Sequence, residues 1–215
     1  MKKTFNTQVC KDCYFNIGNN PERFISYFYQ IKEIVETNPI SILEIGVGNK
    51  IVCNFFKEKD INITTCDFDK SLKPDVLADI RHLPFSNKQF DTVVAFEVLE
   101  HLPWNDFKIA LKELNRVSKK FVLISIPYAC FSFELFFKVE TPLFKKILRL
   151  LSIKVPNFII KAGLSNRNKE HYWEMGKKGY SKSKIRKELK EIFIIDKEFQ
   201  PILNSYHYFF RLKKK

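Results

Sequence analysis

Residues 42–50 read Ile-Leu-Glu-Ile-Gly-Val-Gly-Asn-Lys: an apolar run, an acid, then two glycines one residue apart. A buried strand hands over to a helix in this way around a nucleotide-like ligand. Gly46 and Gly48 let the backbone turn sharply and approach that ligand closely, and the amides that open the following helix point at it. Glu44 stands where a carboxylate accepts hydrogen bonds from a ligand amine or hydroxyl. A dinucleotide fingerprint needs a third glycine at position 51, which is Ile51, and a phosphate loop needs Gly-Lys-Ser/Thr after four spacers, which is missing. More acids follow at the ends of later apolar runs. Asp67, with Phe68 and Asp69 after it, lies 23 residues beyond Glu44 and suits bidentate bonding to ribose hydroxyls. Asp79, beside Ile80, suits an adenine amino group. Phe96-Glu97-Val98-Leu99-Glu100-His101-Leu102-Pro103 closes a fourth run.

Strands alternating with helices must place these residues. Phe24, Ile25, Phe28, Ile31, Ile34 and Val35 recur at helical spacing over residues 22–37, and Pro39 stops that helix. Ile51, Val52, Phe55 and Phe56 mark a helical face over 51–58. Residues 61–66 alternate as a strand, and 75–79 form a short one. Phe90–Phe96 and 121–126 are buried-strand runs, separated by an amphipathic helix over 106–117 that carries Phe107, Ala110, Leu111, Leu114 and Val117. The alternation from 40 to 126 predicts a parallel sheet covered on both faces. A helix over 181–189 and strands over 191–196 and 205–212 predict an antiparallel ending. Between lies an insertion, roughly 128–180. There Thr141 and Pro142 read as the cap and first residue of a helix with Leu143, Phe144, Ile147, Leu148 and Leu151 on its apolar stripe.

A chain of 215 residues with 45% hydrophobic and 15% aromatic content suits one α/β domain with elaborations. Five cysteines, an odd number, point to a reduced, cytoplasmic protein rather than a disulfide scaffold. Cys53 and Cys66 lie in segments that read as buried. Cys10-Lys-Asp-Cys13 has the spacing of a metal knuckle, but no second Cys/His pair follows at a suitable distance, so no metal centre is expected. The start of the chain has no apolar leader core, and no run is long enough for a membrane span. The net charge of +13 is uneven: residues 1–120 carry 17 Lys/Arg against 16 Asp/Glu, and residues 121–215 carry 20 against 8. A basic surface favours nucleic acid, anionic lipid or phosphorylated substrates. However, Lys outnumbers Arg 30 to 7, and specific phosphate and base recognition leans on Arg.

Taken together, Leu43–Gly48 (LEIGVG), Cys66–Asp69 (CDFD), residues 77–102 (LADIRHLPFSNKQFDTVVAFEVLEHL) and 123–127 (LISIP) resemble the class I S-adenosylmethionine (SAM)-dependent methyltransferases, and within them the type 11 methyltransferase-domain group. The resemblance covers about residues 20–127 well and the last strands more loosely. It implies a Rossmann-like, doubly wound, seven-stranded and mostly parallel sheet with an antiparallel final strand, plus an inserted helical lid. It also implies SAM as cofactor and S-adenosylhomocysteine as product. Carried over by position, Glu44, Ile45, Gly46 and Gly48 contact the methionine part, Asp67 the ribose, and Phe68, Asp69, Asp79 and Ile80 the adenine side. Phe96, Glu97 and Val98 line the pocket near the sulfonium. The family often has a third glycine where this chain has Lys50, which must either fold outward or crowd the methionine end.

The layout that follows is an arm and helix over 1–38, a SAM-binding core over 39–127, a lid over 128–180, and a helix with two strands over 181–215. Methyl transfer needs an aligned nucleophile and, for some acceptors, a proton acceptor. His101 and His171 are the candidates; His82 and His207 have no comparable setting. Tyr128 and the aromatic run His171-Tyr172-Trp173 are candidates for acceptor contact. The acceptor expected is a small molecule, anionic or linked to a glycan or lipid. The insertion reads either as a lid or as a peripheral membrane contact, given its basic and aromatic character. Two other readings stand beside this one: an RNA methyltransferase, suggested by the basic second half, and a SAM-fold protein that binds without turnover. The signature of exocyclic-amine methylation is present only in part, as Ile126-Pro127-Tyr128.

Overall fold

A computed structural model describes residues 21–141, 144–155 and 171–215. In chain order the elements are α1 (Pro21–Glu36), β1 (Ser41–Ile45), α2 (Ile51–Lys57), β2 (Asn62–Asp67), β3 (Val76–Leu77), β4 (Phe90–Phe96), α3 (Trp104–Val117), β5 (Ser118–Pro127), β6 (Phe131–Thr141), β7 (Phe144–Val155), α4 (Lys182–Ile192), β8 (Phe193–Phe199) and β9 (His207–Lys214). Short 3-10 turns occupy Lys70–Leu72 and Leu99–His101.

Seven strands form one sheet in the order β3-β2-β1-β4-β5-β9-β8. From β3 to β5 all neighbours are parallel, while β9 runs antiparallel to both β5 and β8. The chain builds outward from β1 in one direction and then, through β4, in the other. The order therefore reverses between β1 and β4, and a crevice opens there at their carboxyl ends.

The alternation of side chains along the strands feeds two cores. Leu43, Val93, Val122, Ile124 and Phe210 pack under α3 and α4, against Phe107, Leu111, Leu114, Ile185 and Leu189. Ile42, Ile63, Val94, Leu123 and Phe209 pack on the other face against Ile34 of α1 and Val52, Cys53 and Phe56 of α2. Burying both faces explains why these strands read as continuous apolar runs. Ser181 caps α4, its hydroxyl accepting from the amide of Lys184 at 3.2 Å.

Two expectations need correction. In place of the helix expected after Thr141, β6 and β7 form a separate antiparallel pair, from Phe131 opposite Val155 to Val139 opposite Ile147 and, after a register shift, Thr141 opposite Phe144. A short apolar run fits either period, and here the Phe-rich β6 supplies a partner strand, which decides the outcome. The second concerns α1. Phe24, Phe28 and Val35, expected on its core face, are exposed, whereas Ser26, Gln30 and Glu33 are buried together with Ile34. The helix turns largely polar residues inward, and those residues have partners, as described below. The Cys10/Cys13 pair and the N-terminal arm lie outside the described residues. Among the described residues, no helix is long and apolar enough to cross a membrane.

Candidate active site

The glycine loop is held from two sides. The Gly46 amide donates to the Cys66 carbonyl at 2.9 Å, and the Val47 amide donates to Asp67 Oδ2 at 2.9 Å. Asp67 Oδ1 accepts from the Asp69 amide at 2.9 Å. One buried carboxylate at the end of β2 thus fixes both the loop after β1 and the turn after β2. Burial raises its pKa, against the pull of these amides. The carboxylate keeps acceptor capacity for a ligand hydroxyl.

Gly46 has φ +82°, and a Cβ placed there would meet Val98 Cγ2 at 2.4 Å. Glycine is thus required by both conformation and space, and Val98 is the wall it faces. Lys50 adopts a left-handed φ of 66° and sends its ammonium to the Lys73 carbonyl at 2.7 Å, so it folds outward. Asn49 fills the turn instead, accepting from the Ile51 amide at 3.2 Å and donating to the Tyr27 hydroxyl at 2.7 Å.

Glu44 is buried among apolar neighbours beside Cys53, and its Oε2 has no hydrogen-bond partner among the described residues. Burial pushes its pKa up to about 8. Burial likewise pushes the thiols of Cys53 and Cys66 up to about 12, which suits free, inert cysteines. Asp79 is differently placed. The Arg81 fork grips it, Nε to Oδ1 at 2.9 Å and Nη2 to Oδ2 at 2.5 Å, while Nη1 reaches Asp106 at 2.6 Å. Burial opposes ionisation of Asp79, but this pairing prevails and lowers its pKa. Phe68 is 45% exposed at the rim, and Asp69 caps the turn Lys70–Leu72 by accepting from the Ser71 amide at 2.8 Å. Ile45 and Ile80 are core residues, and Phe96 packs on Phe209.

Glu97 follows β4 with φ 57°, a left-handed conformation unusual for a residue with a side chain. Its Oε1 accepts from the Ser26 hydroxyl at 3.0 Å and from Gln30 Nε2 at 3.4 Å, and its Oε2 lies 3.1 Å from His207 Nε2. Burial works against the charge, but His207, Ser26 and the charge of Arg23 outweigh it and hold the carboxyl at about 2. His207 is thus brought against the turn after β4, a placement its sequence setting does not show. Its Nδ1 pairs with Asn204 Nδ2 at 3.0 Å.

Beyond Val98 the turn Leu99–His101 brings Glu100 inward and sets His101 against His171, rings edge to face with centroids 4.8 Å apart. The backbone delivers His171 across the insertion: the Tyr172 amide donates to the Glu100 carbonyl at 2.9 Å, Met175 to Pro127 at 3.0 Å, and Ala129 to Met175 at 2.8 Å. His171 Nδ1 lies 3.1 Å from Glu174 Oε1, which also receives Lys177 at 2.9 Å. Burial drives the Glu100 pKa well above the carboxylate range, and the charges of Glu97 and Glu174 add to it.

The aromatic candidates separate. Tyr172 is exposed, and Tyr128 sits half-buried against Tyr208 at the end of β5. Trp173, expected at the acceptor, is 2% exposed instead. Its ring packs among Trp104, Phe107 and Tyr180, and its Nε1 donates to the Leu102 carbonyl at 3.0 Å. Three cations of the basic half are paired: Lys197 and Arg211 with Glu33 and Glu36, and Arg211 and Lys213 with Asp196.

Residues 43–124 match the type 11 family model, described as a methyltransferase domain. No curated protein sequence matches the chain. Among solved structures, the PH0226 protein from Pyrococcus horikoshii OT3 superposes with a TM-score of 0.63 at 12% identity, covering 96% of this chain and 100% of its own. N-methyltransferase NodS from Bradyrhizobium japonicum WM9, in complex with S-adenosylhomocysteine, gives 0.58 at 12%, covering 93% and 91%. The Burkholderia thailandensis 1,6-didemethyltoxoflavin-N1-methyltransferase, with 1,6-didemethyltoxoflavin and S-adenosylhomocysteine bound, gives 0.56 at 11%, covering 95% and 87%. At these identities the likeness is one of fold.

Proposed function

Because the chain belongs to the class I SAM-dependent methyltransferases, we propose that it transfers the SAM methyl group to a small-molecule acceptor, free or linked to a glycan or lipid. The observation that carries this reading is the convergence at one sheet edge of the glycine loop, Asp67 and Val98 with the His101–His171 pair. In this reading the methionine end of SAM lies along Gly46–Gly48 with its ammonium towards Glu44. The ribose hydroxyls bind Asp67, and the adenine lies between Phe68 and the Asp79–Ile80 turn. Phe96, Glu97 and Val98 border the sulfonium.

The acceptor enters between Tyr128, Tyr172 and the two histidines. The sulfonium is already a strong methyl donor, so the protein's task is alignment, with an imidazole placed to deal with the acceptor proton. A small-molecule acceptor is supported by the ligand named for the Burkholderia neighbour. We assign the β6–β7 hairpin the capping role. It stands on the loop before β9, where Glu134 accepts from the Leu203 amide at 2.8 Å and Ser132 bonds to Ser205, four residues or fewer from His207.

Calorimetric titration with SAM and S-adenosylhomocysteine tests the cofactor half, and both are expected to bind. No binding of either, together with no loss in Asp67→Ala, would sink it. Incubation with methyl-labelled SAM and pools of small metabolites, glycolipids and RNA tests the acceptor half. Label entering only RNA overturns the small-molecule reading, and binding without turnover on any pool overturns catalysis.

A further inference from the structure

Glu100 presents the least expected feature of this edge. It is 0% exposed, and neither carboxyl oxygen has a hydrogen-bond partner among the described residues. A buried polar group left this way costs on the order of 1–3 kcal/mol, and in a folded protein it calls for an explanation such as strain, a catalytic role, a water or an ion. Two imidazoles meet it. One donor atom from each of Glu100, His101 and His171 lies within 4.8 Å of the other two. The orientation of His171 is fixed: Glu174 Oε1 takes Nδ1 at 3.1 Å, which makes that nitrogen the N–H and leaves Nε2 with the lone pair. A carboxylate behind a histidine is the usual support for a metal ligand. Lys177 in turn holds the Glu174 carboxylate at 2.9 Å. Glu97, the other acid of the turn, is engaged with Ser26, Gln30 and His207.

We propose that Glu100, His101 and His171 bind a divalent cation of the zinc class, and that the acceptor is one whose hydroxyl completes its coordination. The second clause rests on the methyltransferase reading; the first does not. Two imidazoles and one carboxylate are a donor set that suits zinc and leaves a position open. Ligand atoms of a tetrahedral ion stand about 3.4 Å apart, given bonds of about 2.1 Å, so the side chains must draw in by up to about 1.4 Å on binding. A hydroxyl on the ion loses its proton to water far more readily than a free one. The resulting alkoxide attacks the methyl carbon: the O–C bond forms as the C–S bond breaks, and that electron pair stays on sulfur. The histidines then act through the ion rather than as free bases. The sequence gives no metal-ligand spacing because His171 lies 70 positions beyond His101 and arrives only through the pairing of 171–176 with Glu100 and 127–129.

The test uses the full chain, stripped with a chelator and kept free of SAM. Zn2+ binding is followed by calorimetry and Co2+ binding by visible absorption. One site is expected, weakened by more than about 100-fold in His171→Ala and in Glu100→Gln, and by about 10-fold in Glu174→Gln, whose side chain bonds to the histidine and to Lys177 but supplies no ligand atom. Binding is expected to survive Cys10→Ser/Cys13→Ser. No binding, or binding that persists in both ligand variants, or binding lost with the two cysteines, overturns the proposal. S-adenosylhomocysteine affinity, measured in the same metal-free variants, is expected to stay at the wild-type value and so excludes misfolding. Wild-type protein that binds metal but not S-adenosylhomocysteine would overturn the methyltransferase reading and leave the metal site standing.

Discussion

At the amino-terminal edge of the sheet, Asp91 accepts from the amides of Ile40 and Ser41, at 3.1 and 3.2 Å, and from the Ser41 hydroxyl at 3.4 Å. Nearby, Arg116 ties Glu113 to the carbonyls of Leu83 and Phe85, and Lys214 reaches the carbonyls of Asn115 and Ser118. At the carboxyl edge, on the same strands, Glu44 and Glu100 are also buried but keep carboxyl oxygens without partners among the described residues, and Glu97 holds a left-handed backbone. One edge directs its polar groups to closing the fold. The other tolerates unpaired acids and strain, the usual mark of a place where a ligand completes the hydrogen bonding.

That contrast breaks most visibly at Gly46. Gly46→Ala forces a Cβ into Val98 at 2.4 Å on a backbone with φ +82°. The expected result is loss of S-adenosylhomocysteine binding by about 100-fold or more, with a stability loss of roughly 2–4 kcal/mol. Calorimetry and chemical denaturation read the two effects. Next in size is a matched pair. Asp67→Ala is expected to weaken S-adenosylhomocysteine by about 30-fold, the equivalent of about 2 kcal/mol of charge-assisted hydrogen bonding. Asp91→Ala is expected to cost about 2–3 kcal/mol of stability while leaving that affinity within about 2-fold. If Asp91→Ala weakens the ligand as much as Asp67→Ala, the distinction between the edges fails.

Glu44 sharpens the comparison through pH. Its folded pKa of about 8 lies above its ordinary value of 4.5, so the folded protein holds a proton that the unfolded chain has released. Its contribution to stability is whole below pH 4.5, declines as pH rises, and is gone above about 8. Each pH step of one between these two values is worth about 1.4 kcal/mol, so the change amounts to several kcal/mol. Glu44→Gln should flatten the stability curve between these limits, and an unchanged slope in thermal melts across that range would refute the assignment. The smallest effect is expected at Ser26→Ala: about 0.5–1 kcal/mol near neutrality, since the Glu97 carboxylate is partly open to water. Because Glu97 is held at about 2, its contribution is present above pH 4.5 and lost as pH falls through 2. The Ser26→Ala deficit should disappear with it.

The core was largely legible from the amino acids. Apolar runs buried on both faces announce a parallel sheet, and acids at the strand ends mark its carboxyl edge, because both signals lie within consecutive residues. What stayed hidden depends on residues far apart in the chain. Ser26 and Gln30 are invisible to a hydrophobic pattern, since α1 is oriented by the carboxylate of Glu97, 71 and 67 positions away. His207 shows nothing until β9 sets it beside Glu97. The hairpin was missed for a local reason: Leu-rich runs fit both periods, and only the register with β6 settles the matter.

The neck of the insertion has one more consequence. Tyr128 and Met175 form a parallel bridge, and Gly176, at φ +87°, lets the returning chain pass where a Cβ would come within 2.5 Å of the Ala129 carbonyl. Exit and re-entry are therefore clamped together, and the chain between them is a closed excursion whose ends do not move with its content. Lengthening such an excursion adds entropy cost only logarithmically. The scaffold can in this way exchange the part of the excursion that precedes His171 as a cassette, while the returning segment 171–176 keeps its place through its bonds to Glu100, Pro127 and Ala129.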